Sequence, residues 1–330
     1  MATLKDIAQR AGVTATTVSR VINNRGYISE GTRKKVYAAM EEMHYQPNEL
    51  ARAFSKQYTN TIGLIVPHIS HSFFIKVISN LESSAAEKGF KLLLCNSKEQ
   101  PEKEQDYLDM CISNRVAGIV LCSKYVQTRE FRKMNIPVVN LERGGDDDTI
   151  SVQCDNYQGG KLAAEHLIEC GCRNLLHFGG VAGKDMPADR RADGFSDICK
   201  RAGIPYRILV SDRLLYGSMH YEDFIRRALQ EFPDVDGIFA SSDLIASQVI
   251  QVGAQMGKRV PEDIQLVGFD DVMISTVTTP QITTIHQPVE EMAELCVEYI
   301  TKSLKNEPVP QKIVLPVRLV QRGTTVLKTK

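Results

Sequence analysis

The chain carries 40 Lys and Arg against 40 Asp and Glu in 330 residues, a formal charge of zero, with 8 Cys and no Trp. No apolar run approaches membrane-spanning length, and Met1–Gln9 holds Lys5 and Asp6 without an apolar core, so neither a spanning helix nor a secretory segment is expected. A cytoplasmic protein with its cysteines as thiols is the resulting expectation.

The first 54 residues read as a device for lying in DNA grooves. Thr3 and Asp6 make a capping-box-like pair. Leu4, Ile7, Ala8 and Ala11 then recur at helical spacing as one apolar stripe. Gly12 ends that helix because glycine tolerates positive φ. Thr14 can cap a second helix running to about Asn23, which buries Val18, Val21 and Ile22. Its other side shows Ala15, Thr16, Ser19, Arg20 and Asn23. Two helices joined by a short glycine turn, the second polar outside, describe a helix-turn-helix.

The chemistry of that outer side fits base reading. Arg20 can fork onto the O6 and N7 of a guanine, and Ala15 and the Thr16 methyl can sit against a thymine methyl. Thr17 and Ser19 suit phosphate oxygens, and Thr3, Thr14 and Asn23 complete the candidate contacts. A small helical domain with a merely solvated face would show the same pattern. The next segment favours DNA. Ser29 caps a third helix, Glu30 to about Met43, that opens with Arg33, Lys34 and Lys35. Residues 1–60 hold 9 Lys and Arg against 5 Asp and Glu, and residues 61–330 hold 31 against 35. A basic head on an acidic body is what phosphate-backbone binding asks for.

Pro47 breaks the third helix, and Asn48 can cap a short one ending near Ser55. So short a helix is unstable alone and is expected to fold on binding. Ala51 lies within it, Arg52 would face phosphate, and Phe54 has two readings: a minor-groove wedge or an anchor onto the next domain.

Leu4-Lys5-Asp6-Ile7-Ala8, Gly12-Val13-Thr14, Thr17-Val18-Ser19-Arg20-Val21-Ile22-Asn23, Tyr45-Gln46-Pro47-Asn48 and Ala51-Arg52 together resemble the head and hinge of lactose-repressor (LacI/GalR-type) transcription regulators. The resemblance extends over the whole chain. It implies that Ala15, Thr16 and Arg20 read bases in the major groove, and that the hinge helix enters the minor groove at the centre of a palindromic operator. The wedge in relatives is usually leucine; this chain has Phe54 there, which puts its central-step preference in doubt.

From Thr61 apolar strand runs alternate with amphipathic helices: Ile62–Val66, Leu92–Leu94 and Gly118–Leu121, then Leu175–Phe178, Ile208–Val210, Gly237–Ala240 and Leu266–Phe269. That rhythm means an α/β fold with doubly wound parallel sheets. Its length favours two lobes, giving a two-lobed, periplasmic-binding-protein-like body behind the helix-turn-helix head. The expected division is 1–46 for the head, 47–60 for the hinge, 61–157 with 287–317 for one lobe, and 158–286 with 318–330 for the other.

Ligands of such sheets sit beyond the carboxyl ends of the strands. There the sequence places His71, Phe73, Phe74, Asp155, Arg191, Tyr216, Ser242 and Asp270. Carboxylates, an arginine fork and aromatic faces suit a small polyhydroxylated ligand. Asp243 also reads as a helix cap, and one of Asp270 and Asp271 as a partner for loop amides. The resemblance implies that Arg191 and Asp270 grip an effector and that Asp155, Phe73, Phe74 and Tyr216 line its pocket. The runs His68–Phe74, Leu94–Ser97 and Asp106–Leu108 look most like sugar-operon repressors of the sucrose or fructose type.

No catalytic set, cofactor or metal site is expected. Gly179–Lys184 lacks the first glycine of a phosphate loop and has Asp185 where Ser or Thr should follow. Cys170-Gly171-Cys172 has no second ligand pair, and His177 and His220 are lone histidines. A sugar-binding receptor would explain the body but not residues 1–60, and a sugar-modifying enzyme would need a nucleophile or acid–base pair at the cleft. The reading that joins all parts is a homodimeric DNA-binding regulator, most simply a repressor of a carbohydrate operon, switched by a sugar or sugar phosphate between its lobes. Its alternative is a family member answering to a corepressor or a protein partner. The chain stops soon after the last strand without apolar heptads, so a dimer is expected rather than a tetramer.

Overall fold

The computed structural model describes residues 2–23, 25–45, 58–123, 136–143, 149–181 and 186–328, in two units, Met1–Asn60 and Thr61–Lys330. The first unit folds as α1 (Leu4–Ala11), α2 (Ala15–Ile22) and α3 (Glu30–Glu42). Each start follows from its cap. Thr3 and Asp6 close a reciprocal capping box, Thr14 accepts from the Thr17 amide, and Ser29 accepts from Thr32. Gly12 turns the chain between α1 and α2 at φ 66°, which a side chain would resist. The apolar stripes meet around Ile7, Val18, Val21 and Val36, all fully buried, and an Arg10–Glu42 ion pair ties α1 to α3.

The second unit opens with β1 (Thr61–Val66), α4 (Ser72–Glu87), β2 (Lys91–Asn96), α5 (Pro101–Ser113), β3 (Gly118–Leu121), β4 (Val138–Leu141) and β5 (Ile150–Cys154). It continues with α6 (Asn156–Glu169), β6 (Leu175–Val181), α7 (Arg190–Ala202), β7 (Tyr206–Ser211), α8 (Arg213–Ser218), α9 (Glu222–Glu231), β8 (Gly237–Ala240) and α10 (Asp243–Gln255). It ends with β9 (Gln265–Asp270), α11 (Ile274–Val277), β10 (Thr283–His286), α12 (Val289–Leu304), β11 (Lys312–Leu315) and β12 (Arg318–Val320).

These strands build two six-stranded sheets, ordered β11-β5-β4-β3-β1-β2 and β12-β10-β9-β8-β6-β7. Every pairing is parallel except β10 with β12. The chain leaves the first sheet after β5, returns through α12 after β10, and passes once more between β11 and β12. Central strands such as β3, β4 and β8 are buried along their whole length, because helices cover both faces. The first sheet packs Leu64, Val120 and Val139 against α4 and α12, and the second packs Leu176, Ile238 and Leu266 against α9 and α10.

One packing detail fixes the later geometry. A Cβ at Gly160 would fall 1.9 Å from the Arg191 carbonyl oxygen, and one at Gly194 would fall 2.0 Å from that of Tyr157. The helices α6 and α7 therefore touch backbone to backbone, an approach that only glycine permits. It sets where the first turn of α7, with Arg191, stands.

Candidate DNA-reading head and ligand cleft

On the head, Thr3, Thr14, Thr16 and Arg20 are exposed, while Ala15, Thr17, Ser19 and Asn23 are half-buried. Not all of their polar atoms are free to read a base. The hydroxyl of Thr3 bonds the Asp6 carboxylate at 2.8 Å, those of Thr14 and Thr17 meet at 2.9 Å, and Asn23 donates to the Ser19 carbonyl at 2.9 Å. Thr16 and Arg20 therefore have the most accessible functional groups on this face. Tyr27, which the sequence did not single out, is 99% exposed between α2 and α3. The candidates Asn48, Ala51, Arg52 and Phe54 lie outside the described residues.

In the second unit a cavity of about 140 Å³ opens between the carboxyl ends of the two sheets. From the first sheet its wall takes Pro67 and His71 after β1, Glu99 after β2, Ser123 after β3 and Glu142 after β4, with Phe73 and Phe74 from α4. From the second it takes Gly179 and Gly180 of β6, Ser211 of β7, Ser242 after β8 and Asp270 of β9, with Arg191 and Tyr216. Gln287, just after β10, stands on the wall at the second crossing. Of the eight sequence candidates the fold brings seven together here. Asp155 stays off this wall: its carboxylate accepts the Gln158 amide at 2.9 Å and caps α6.

Arg191 is buried and aimed by three neighbours. Its Nε donates to Asn156 Oδ1 at 2.7 Å, its Nη1 to the Ser241 carbonyl at 2.5 Å, and its guanidinium carbon lies 3.5 Å from the centre of the Phe269 ring. Asn156 in turn donates to Glu142 Oε2 at 2.9 Å, and Glu142 also accepts the Cys154 amide. Burial raises the Glu142 pKa, against the pull of Arg191.

Asp270 faces Arg191 with φ 107°, a backbone region rarely used by a residue with a side chain. Glu99 and Glu142 also have positive φ, at 60° and 51°. Such conformations persist where the surroundings over-determine them, and they gather at binding sites. Burial pushes the Asp270 pKa up to about 7, against the pull of Arg191 and the hydrogen bond that Gln287 Nε2 donates to its Oδ1 at 2.6 Å. His71 caps α4 by accepting the Phe73 amide on Nδ1, and burial lowers its pKa to about 4, so the ring is neutral near pH 7. Tyr216 of α8 lies edge-on to His68 with centroids 5.5 Å apart, and Phe73 meets Phe74 edge-to-face at 5.2 Å.

The other sequence candidates have structural employment. Ser242, not Asp243, caps α10, accepting from Ile245 while facing the cavity. Asp243 is fully buried and accepts from Thr284 Oγ1 at 2.6 Å and the Val272 amide at 3.0 Å. Asp271 pairs with Arg322 at 2.6 Å and His286 at 2.8 Å. His177 is stacked on Phe239 in the core, its centroid 4.5 Å away.

Glu142, Asn156, Ser123 and Gln287 were not read from the sequence. Glu142 and Gln287 follow β4 (Val138–Leu141) and β10 (Thr283–His286), whose apolar runs are interrupted by Asn140 and by Thr283, Thr284 and His286; the position of each after a short β-branched or apolar run was the available signal.

The profile described as "Bacterial regulatory proteins, lacI family" matches residues 3–48, and that of a "Periplasmic binding protein-like domain" matches residues 164–325. A ribose operon repressor of Halalkalibacterium halodurans is 33% identical over 326 residues, covering 98% of this chain and 97% of its own. A sucrose operon repressor of Pediococcus pentosaceus is 35% identical over 323 residues, covering 97% and 98%. The crystal structure of the lac repressor dimer bound to operator and the anti-inducer ONPF superimposes with a TM-score of 0.82 at 25% identity, over 98% of this chain and 99% of that one. With a helix-turn-helix head, a two-sheet body and relatives aligned end to end, this chain belongs to the lacI family of bacterial regulatory proteins.

Proposed function

We propose that the protein is a homodimeric repressor of a carbohydrate-utilisation operon whose operator affinity is switched by a sugar bound between the two lobes. The observation that carries the ligand half of this reading is the wall shared by the two sheets. Arg191 and Asp270 reach in from one and Glu142 from the other, so an occupant would bridge the lobes and bias their angle. The DNA half rests on the exposed Thr16 and Arg20 of α2 and on relatives named as ribose and sucrose operon repressors. The dimer follows the similar lac repressor, whose crystal structure is of a dimer bound to operator.

In this reading residues 1–46 are the head, 47–60 the hinge, 61–157 with 287–317 the first lobe, and 158–286 with 318–330 the second. Thr3, Thr14, Ala15, Thr16, Thr17, Ser19, Arg20 and Asn23 face the major groove, and Asn48, Ala51, Arg52 and Phe54 the minor groove. A palindromic operator would place the two recognition helices on successive major grooves. A regulator of transcription works where the chromosome is, in the cytoplasm. No helix among the described residues is long and apolar enough to cross a membrane. The protein acts by binding, without chemistry of its own.

The test is fluorescence anisotropy on a duplex selected from a random palindromic pool, titrated with the full-length protein with and without free sugars. Operator affinity that moves with one sugar, and no longer moves in Arg191→Ala, supports the reading. Specific DNA binding that no sugar alters leaves a repressor governed by a corepressor of another class or by a protein partner. Failure to select any duplex removes the reading altogether.

A further inference from the structure

The two lobes also meet outside the cavity. Lys76, early in α4 on the first sheet, donates from Nζ to the backbone carbonyl of Asp271 at 2.9 Å. Asp271 directly follows β9 of the second sheet, and 195 residues separate the partners. Lys76 is half-buried and is not one of the residues lining the cavity. Elsewhere along the seam the Tyr216 ring of α8 lies 5.5 Å from that of His68 and 6.2 Å from that of His71.

The acceptor of the lysine bond is held in place. Asp271 has φ 53°, directly after Asp270 at φ 107°. Its carboxylate is clamped by Arg322 Nη2 at 2.6 Å and His286 Nδ1 at 2.8 Å. Arg322 is fixed in turn through Nη1, which donates to the Ile282 carbonyl at 3.0 Å and the Ser275 hydroxyl at 3.2 Å. His286 ends β10 just before the chain crosses to α12, and Arg322 follows β12 just after it crosses back. The Asp271 peptide is therefore tied to both segments that lead through these crossings. Only the lysine side chain has to be ordered for the contact to form, and a donor with full charge makes it stronger than an amide would. Its field also reaches the cavity wall: burial raises the Asp270 pKa, and Lys76 is among the charges that oppose this.

Lys76 and Asp271 belong to different sheets, so an opening that parts the rims pulls them apart. A bond made at one lobe angle and lost at another biases that angle whatever occupies the cleft. We infer that Lys76 is a positioning residue for the switch, holding the two lobes at the angle seen here through the Asp271 carbonyl, from outside the ligand cavity. The lobe contact stands without the carbohydrate reading; its effect on operator binding rests on the regulator reading above.

Hydrogen exchange of the full-length protein, with no sugar added, compares the parent with Lys76→Met and Lys76→Arg. Methionine keeps an apolar stem and removes the donor, while arginine keeps a charged donor. In Lys76→Met the rim amides of both sheets, residues 68–74 and 270–274, should exchange about tenfold faster, with β3 and β8 as protected as before. Lys76→Arg should stay close to the parent. Unchanged exchange at the rims overturns the inference. So does acceleration confined to α4, which marks a helix loosened in place, or equal acceleration in both variants, which traces the effect to fit rather than to the donor. Operator affinity, read by anisotropy on the same proteins, should shift in Lys76→Met. Faster rim exchange at unaltered DNA affinity keeps the lobe contact and overturns its part in the switch.

Discussion

Asn156 and Arg191 meet side chain to side chain at 2.7 Å, and the same asparagine holds Glu142 of the other sheet at 2.9 Å through its amide nitrogen. One amide at the first crossing thus joins the lobe-two guanidinium to a lobe-one carboxylate. All three side chains are buried. Replacing Asn156 by Leu keeps the volume but strands both charges, and breaking a buried polar chain in this way costs roughly 2–4 kcal/mol. Urea denaturation of the Asn156→Leu protein should show that loss; a midpoint matching the parent would mean that water satisfies both groups.

Asp270 makes stability depend on pH in a direction opposite to an ordinary ion-paired carboxylate. Its pKa in the folded protein is about 7, raised by burial from an ordinary value near 4. The native state therefore binds more protons than the unfolded state between these values, and this group's contribution falls as pH rises through the window. His71 and His177, both lowered to about 4 by burial, pull the other way, since their contribution is lost as pH falls from 6.5 toward 4. The clean observable is a difference. Asp270→Asn mimics the protonated acid, so its stability relative to the parent should climb from pH 4 to pH 7 by a few kcal/mol and level off above. Parallel melting curves for the two proteins across that range would show that Asp270 ionises normally.

Gly160→Ala tests the contact that places Arg191. The added methyl would sit 1.9 Å from a backbone oxygen, which no side-chain rearrangement relieves. Expected are a loss of at least 1–3 kcal/mol in stability and a weaker ligand response in whatever fraction folds. Full stability with full response would show that α6 and α7 separate cheaply.

For the head, Arg20→Ala should lower operator affinity and relax preference at one base pair by about 1–3 kcal/mol, leaving the melting temperature unchanged. Its side chain is exposed and serves no packing role, so an unaltered binding-site preference would assign base reading to other residues of α2.

The head was legible in the sequence almost to the residue. Its helices are local objects with local punctuation, and Thr3, Gly12, Thr14 and Ser29 stand at the caps and turn where their chemistry predicts. The alternation of strand runs with helices likewise announced parallel sheets, because a strand buried on both faces must be apolar throughout. What remained hidden was set by contacts distant in the chain. Glu142 became part of the cleft only because β4 lies between β3 and β5, and Gln287 because the chain crosses back after β10. Asp155 and Glu142 are both acids at strand ends; only the fold decided that one caps a helix and the other faces Asn156 and Arg191. Sequence alone determined which elements form and which faces they bury, since those follow from periodicity and capping. Tertiary structure decided which carboxylates share a cavity, how far burial raises their pKa values, and which acceptors wait there for a donor, because these depend on neighbours distant in the chain, as Glu142 and Lys76 are from Asp270.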